Sequence, residues 1–238
     1  VLQCYSTGWK SGDFLPQERQ LFGMPGGFMN DWRLMSNIPG LFVAGDALFS
    51  SNCFGHAACT GSYAGRHAAD WAKGREFVQP HNPQIEQERE RIYTPLERDP
   101  QHSYSWKELN HAISKTMQNY CGDVKEQTLL ETGLDILRSY EQDIVPNTSA
   151  SNPHELMRLI EVFDILTVSQ VIIHACMNRR SSCAAMEFYR SHEEAPEQPF
   201  VVIKHDGESV LSREVPLDFA GDIVQQYESH NAEYLEDI

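Results

Sequence analysis

Three observations predict a mixed α and β chain that is mostly α. A short apolar run, Leu41 to Ala44, ends at Gly45-Asp46 and leads into a stretch rich in small helix-forming residues, the pattern of a strand, loop and helix. Between Ser105 and Asn178 three helical periods are bounded by cap signals and joined by short connections, which favours an antiparallel three-helix domain. Beyond them "FVVIKHDGESVLSREV" places two apolar runs around Asp206-Gly207, a strong short-range signal for a β-hairpin.

Residues 1 to about 37 are punctuated by Gly8, Gly12, Pro16, Gly23, Pro25, Gly26 and Gly27 and read as loops with short strands. The first helix is expected from about Thr60 to Trp71, running out at Gly74. Ala57, Ala58, Gly61, Ala64, Gly65 and Ala68 recur at spacings of three and four, so one face there has almost no side chain. Two readings stay open: close packing of helix on sheet, or a bed for something wide and flat whose anionic part meets the N–H groups at the helix start. After Lys73 a charged, proline-bounded segment holds one exposed helix from Gln84 to about Tyr93 and reads as a linker over 76–104.

Ser105 with Glu108 forms a capping box, and Leu109, Ala112, Ile113, Met117 and Tyr120 trace the apolar face of a helix that Gly122 should stop. A second helix is expected from Val124 to Asp143, with Leu130, Leu134 and Leu137 inward, ending before Pro146. Asn152, Pro153 and Glu155 supply cap, first-turn proline and first-turn acid to a third that reaches Asn178. The segments are therefore 1–75, a linker over 76–104, a helical domain over 105–197, and a hairpin with an acidic tail over 198–238.

Nineteen Lys and Arg against thirty-four Asp and Glu give a net charge of −15, which argues against a nucleic-acid backbone or an anionic membrane as partner. From Glu187 onward thirteen acids and three bases carry most of that excess. No uncharged apolar run is long enough to cross a membrane; "LMRLIEVFDILTVSQVIIHACM" is interrupted by Arg158, Glu161 and Asp164. Val1 and the sequence after it have no signal-peptide character, and the chain is expected to begin inside a longer protein. Six scattered cysteines without a CxxC spacing read as reduced thiols of a cytoplasmic protein, and neither they nor the histidines suggest a metal site. No GxGxxG is present, so a dinucleotide fingerprint would lie upstream of Val1.

The stretch "IPGLFVAGDALFSSNCFGHAACTGSYAGRHAA" resembles the C-terminal FAD-binding segment of the flavoproteins related to succinate dehydrogenase, fumarate reductase, aspartate oxidase and the alpha subunit of adenylylsulfate reductase. "NRRSSCAAMEFYRSHEEAP" after the third helix and "VPLDFAGDIVQQYESHN" near the end extend the resemblance, the latter toward adenylylsulfate reductase. It implies that 1–75 is the C-terminal part of an FAD-binding α/β domain, with FAD as cofactor. Gly45 and Asp46 would approach the ribityl or ribose region, and Gly55, Gly61 and Ser62 would face the flavin and its phosphates. It further implies an iron–sulfur ferredoxin-like partner, a small-molecule substrate, and an upstream segment completing the FAD domain.

The sequence also departs from the family. The dicarboxylate enzymes place a substrate-binding arginine where this chain has Ala58, and "SSCAAME" lacks their histidine; Gly55-His56 instead matches adenylylsulfate reductases, although "GHAAC" lacks the lysine that follows there. The resemblance implies catalytic roles for His56, which could protonate or polarise a substrate over the flavin, and Arg180, which with Arg179 could clamp an anion. Their structural alternatives are a hydrogen-bonded loop histidine and a pair of cations opposing a helix dipole. At the level of function the alternatives are a helical assembly module that has lost FAD and a fumarate reductase or succinate dehydrogenase type flavoprotein.

Overall fold

The computed structural model describes residues 27–48, 53–77, 79, 82–183, 188–192, 200–205, 210–216 and 221–236. The chain divides into two units, Val1–Val78 with Glu228–Ile238, and Gln79–Tyr227. The loops expected over residues 1–26 and the Asp206-Gly207 turn lie outside the described residues.

In the first unit, residues 27–48 form an irregular ribbon with two isolated bridges, Asn30 to Ser36 and Met35 to Phe42. The strand expected over Leu41–Ala44 is reduced to the Met35–Phe42 bridge, whose two bonds run from Val43 N to Leu34 O and from Ser36 N to Leu41 O. Its apolar character is spent on burying Val43, while Leu41 is left exposed. A short 3₁₀ turn, Gly45–Ala47, leads on, and helix α1 spans Phe54–Ala72. The helix begins six residues before Thr60, because "FGHAAC" supplies another turn and a half of small, helix-compatible residues. It ends where Gly74 takes φ +72.

The second unit opens with α2, Asn82–Tyr93, the exposed helix expected from the sequence. Residues 94–104, read as linker, are fastened to this unit: Pro95 is buried, its carbonyl accepts from Ala150 N, and Arg98 donates to the Thr148 carbonyl at 2.7 Å. Helix α3, Trp106–Tyr120, starts on the full reciprocal capping box of Ser105 and Glu108. It ends at Tyr120, the last residue of the expected apolar face and just ahead of Gly122, with Cys121 leaving helical geometry and its N–H still bonded to Met117.

Val124 and Lys125 then form strand β1 instead of opening the second helix. Glu126 caps helix α4, Gln127–Ser139, by accepting from Leu129 N, so the carboxylate fixes a later start than apolar spacing alone suggests. A π turn, Tyr140–Ile144, and a 3₁₀ turn over Val145–Asn147 carry the chain past Pro146. Helix α5, Pro153–Asn178, has the expected Asn152 cap and first-turn proline.

Helices α3, α4 and α5 pack pairwise as the antiparallel three-helix domain. Leu109, Ile113, Leu130, Leu137, Leu159 and Ile173 have at most 1% of their surface exposed. Strand β2, Tyr189–Arg190, pairs in parallel with β1. The hairpin strands β3, Phe200–His205, and β4, Val210–Val215, pair antiparallel, with Phe200 opposite Val215 and His205 opposite Val210. The acidic tail, for which the sequence reading named no element, contains helix α6, Ile223–Glu236, opened by Gly221 at φ +67 and by Asp222, which accepts from Gln225 N.

Candidate functional site

The predicted cofactor residues lie in the first unit, where the Gly45-Asp46 turn is tied to the first two turns of α1. Gly45 is buried at φ +60, a left-handed conformation that favours glycine. A Cβ there would already touch Ala57 at 3.5 Å, so turn and helix are in close approach. The Gly45 N–H donates to Thr60 Oγ1 at 2.9 Å, and Thr60 Oγ1 donates in turn to the His56 carbonyl at 2.7 Å. His56 Nε2 lies 3.2 Å from the Gly45 carbonyl.

His56 is therefore a residue of the first helical turn, not of a loop, because α1 starts at Phe54. Its ring helps to fasten the turn to the helix. Gly45 itself is an anchoring point, its amide engaged by Thr60. Asp46 follows on the exposed side of the 3₁₀ turn. Gly27 closes the turn from the other side: Phe28 N donates to Ala47 O at 2.9 Å, and a side chain at Gly27 would collide with the Leu48 carbonyl.

The small residues of α1 divide between two faces. His56, Thr60, Tyr63, Ala64, His67, Ala68 and Trp71 are buried or half-buried. On that face Tyr63 donates to the Trp32 carbonyl at 3.0 Å, and the Trp71 ring occupies the space a side chain at Gly40 would need. The opposite face presents Ala58, Gly61, Ser62, Gly65 and Ala69, all exposed, and among the described residues nothing comes within 4 Å of a Cβ built on Gly61 or Gly65. Over about three turns this outward face has no side chain larger than serine. Gly55 is exposed one turn earlier, and the N-cap Cys53 makes no side-chain hydrogen bond to the first amides. The small-residue pattern thus packs against the 27–48 ribbon on one side of the helix and is exposed on the other.

Arg180 belongs to the second unit, just past α5. Its Nε lies 3.6 Å from Glu214 on β4, with both side chains about half exposed. The α5 C-terminus is satisfied by other groups: Asn178 Nδ2 donates to the His174 carbonyl at 2.7 Å, and an Arg190 guanidinium nitrogen donates to the Cys176 carbonyl at 3.1 Å. Arg179 stands over the Phe188 ring at 5.5 Å. An open groove of about 430 Å³ in this unit, lined in part by Arg91, Arg98, Glu141 and Phe163, contains none of the predicted site residues.

Thr60 and Gly27 are the positioning residues that sequence reasoning missed. Thr60 had a signal, being the one β-branched hydroxyl within a run of small residues and four positions after His56. Among the described residues no group of His, Cys, Asp and Glu is arranged to hold a metal ion, and no helix is long and apolar enough to cross a membrane.

Residues 110–205 match the family model described as fumarate reductase flavoprotein C-term. No curated protein matches the sequence. Among solved structures, the Mycobacterium smegmatis Sdh1 complex in the apo form is 18% identical with a TM-score of 0.63, covering 76% of this chain and 33% of that one. A mutant of E. coli quinol fumarate reductase FrdA is 18% identical with a TM-score of 0.64, covering 80% of this chain and 36% of that one. A quinol-fumarate reductase with menaquinol molecules gives 18% identity and a TM-score of 0.63, covering 80% and 37%. The chain spans about a third of the length of these structures. Over residues 110–205 it is similar to the C-terminal domain of fumarate reductase flavoproteins, and it shares the fold of the matching part of succinate dehydrogenase and fumarate reductase flavoproteins.

Proposed function

We propose that this chain is the C-terminal part of an FAD-dependent oxidoreductase subunit that exchanges electrons between the flavin, a small-molecule substrate and an iron–sulfur partner. The observation that carries this reading is the outward face of α1: Ala58, Gly61, Ser62 and Gly65 offer an exposed, nearly side-chain-free surface on the side of the helix away from the turn that Thr60 and His56 hold. A flat ring system lies against such a surface, and the uncapped amides at the start of α1 favour an anion.

FAD, when bound, supplies the hydride and electron chemistry. The protein's part is to present Gly61 and Ser62 to the cofactor, to keep Gly45 and Asp46 in register through the Thr60 bond, and to hold His56 at the helix start where its imidazole can take or give a proton. Arg180, if it serves the substrate, must exchange Glu214 for a substrate anion.

The substrate class we favour is that of the adenylylsulfate-reductase-like enzymes. Gly55-His56 matches that branch, and Ala58 stands where the dicarboxylate enzymes carry their arginine. The family match over residues 110–205 favours a second reading, a fumarate reductase or succinate dehydrogenase type flavoprotein. The complete reading frame, purified with its bound cofactor and assayed with adenylylsulfate and with fumarate, separates the two.

Gly61→Leu in that same polypeptide tests the cofactor face. Flavin absorbance of the purified protein is expected to fall by at least about tenfold while helical content is unchanged. Undiminished flavin would mean that the face packs against protein, and a colourless wild-type protein would favour the assembly-module alternative.

A further inference from the structure

At the far end of the three-helix domain, Cys121 leaves α3 and Cys176 sits in the last turn of α5, with their sulfurs 3.9 Å apart. Both are free thiols; Cys121 is partly exposed and Cys176 is buried. The surroundings are cationic. Lys125 donates through Nζ to the Cys121 carbonyl at 3.4 Å and also to the Gly122 carbonyl, and Arg190 donates to the Cys176 carbonyl at 3.1 Å.

We propose that Cys121 and Cys176 form a redox couple that closes to an intramolecular disulfide when the protein meets a peroxide. A disulfide needs about 2.05 Å between sulfurs, so closing the present gap moves each sulfur by about 1 Å, within reach of side-chain rotation at a chain position already outside the helix. The roles of the two thiols differ. The contact with Cys176 lowers the Cys121 thiol against the opposing effect of burial, and the Lys125 ammonium adds to the lowering. Cys176 is pushed up, by its bond to Cys121 and then by burial. Cys121, the partly exposed one of the pair, is the attacking thiolate, and the buried Cys176 is the resolving thiol.

The step balances with hydrogen peroxide as oxidant. The Cys121 thiolate attacks one peroxide oxygen, the O–O bond breaks, and hydroxide leaves, giving a sulfenic acid. The Cys176 sulfur then attacks the sulfenic sulfur, the S–O bond breaks, and the departing hydroxide leaves as water with the Cys176 proton. Two electrons have passed from the thiols to the peroxide. The product staples the corner between α3 and β1 to the end of α5.

The test is carried out on the full chain, reduced and then exposed to equimolar hydrogen peroxide, alkylated and mapped by mass spectrometry. The expected result is a linked peptide pair containing Cys121 and Cys176, lighter by two hydrogens and reversed by dithiothreitol. Cys121 should be consumed about tenfold faster than the exposed Cys53 and Cys59. In Cys176→Ser the sulfenic acid on Cys121 should persist and be trapped by dimedone. In Cys121→Ser, which leaves the buried position intact, Cys176 should stay reduced. Consumption of Cys121 no faster than Cys53, or oxidation that yields no link between the two peptides, overturns the proposal.

Discussion

Helices α1 and α4 each carry a glycine in mid-helix, and the two glycines have opposite surroundings. A Cβ built on Gly133 of α4 would stand 2.7 Å from Tyr120 Cβ and 3.4 Å from Ile173 Cδ1. Among the described residues, one built on Gly61 of α1 would meet nothing within 4 Å. Glycine is a weak helix former, so both positions give up helix propensity for another purpose. At Gly133 the purpose is visible within the chain, where α3 and α5 close onto α4. At Gly61 the space is open among the described residues, so no partner within the chain accounts for the glycine there.

The helical domain should therefore respond to substitution as a core does. Leu137 is fully buried among Leu109, Ile113, Leu134 and Leu166. Leu137→Ala removes its burial and leaves a cavity, and the expected loss is about 2–5 kcal/mol in urea denaturation followed by circular dichroism. Gly133→Ala should come next. Its propensity gain of about 1 kcal/mol is outweighed by overpacking of about 1–3 kcal/mol, because the obstructing atom is a Cβ that no rotamer of Tyr120 can withdraw. A net stabilisation by Gly133→Ala would show that α3 and α4 are not held at this distance.

Smaller again is the capping box of α3. Ser105→Ala is expected to cost about 1 kcal/mol at neutral pH. The pair also gives the domain a pH signature. Hydrogen bonds from the Ser105 backbone and hydroxyl hold the Glu108 carboxyl below its ordinary value of 4.5. A carboxylate with a depressed folded pKa contributes stability that is fully present above the unfolded value and is lost as pH falls through the folded one. The wild-type domain should lose stability below about pH 4.5, and Ser105→Ala should lose less there, as a pH series of urea midpoints would record.

How far each region could be read from sequence follows the same division. The bundle was legible because its signals are local: Ser105 with Glu108, and Asn152 with Pro153 and Glu155, act within one turn, and Leu130, Leu134 and Leu137 repeat at helical spacing. What failed there depends on distant partners. Val124 and Lys125 become a strand only because Tyr189 and Arg190 lie alongside, and the thiol contact joins positions 55 residues apart. In the first unit the Gly45 turn was legible as a break, but its fastening by Thr60 was not, since that bond spans 15 residues. The strand over Leu41–Ala44 was overread because an apolar run specifies burial more firmly than it specifies a pairing partner, and here it secures the burial of Val43 with a single bridge. Helix α6 was missed because acidic composition masked a short local signal, Gly221 followed by the Asp222 cap.

The most discriminating of the small effects is Gly61→Ala. With nothing within 4 Å among the described residues, the added methyl finds room, and the helix gains propensity. The expected change is a stabilisation of about 0.5–1 kcal/mol, opposite in sign to Gly133→Ala. In the flavin-loaded protein the same methyl would press on the ring system, so cofactor affinity should fall while the cofactor-free protein becomes more stable. Measuring both quantities on one variant separates the two uses of a small residue. A face kept bare for packing against protein loses stability when filled, whereas a face kept bare for a ligand loses only the ligand.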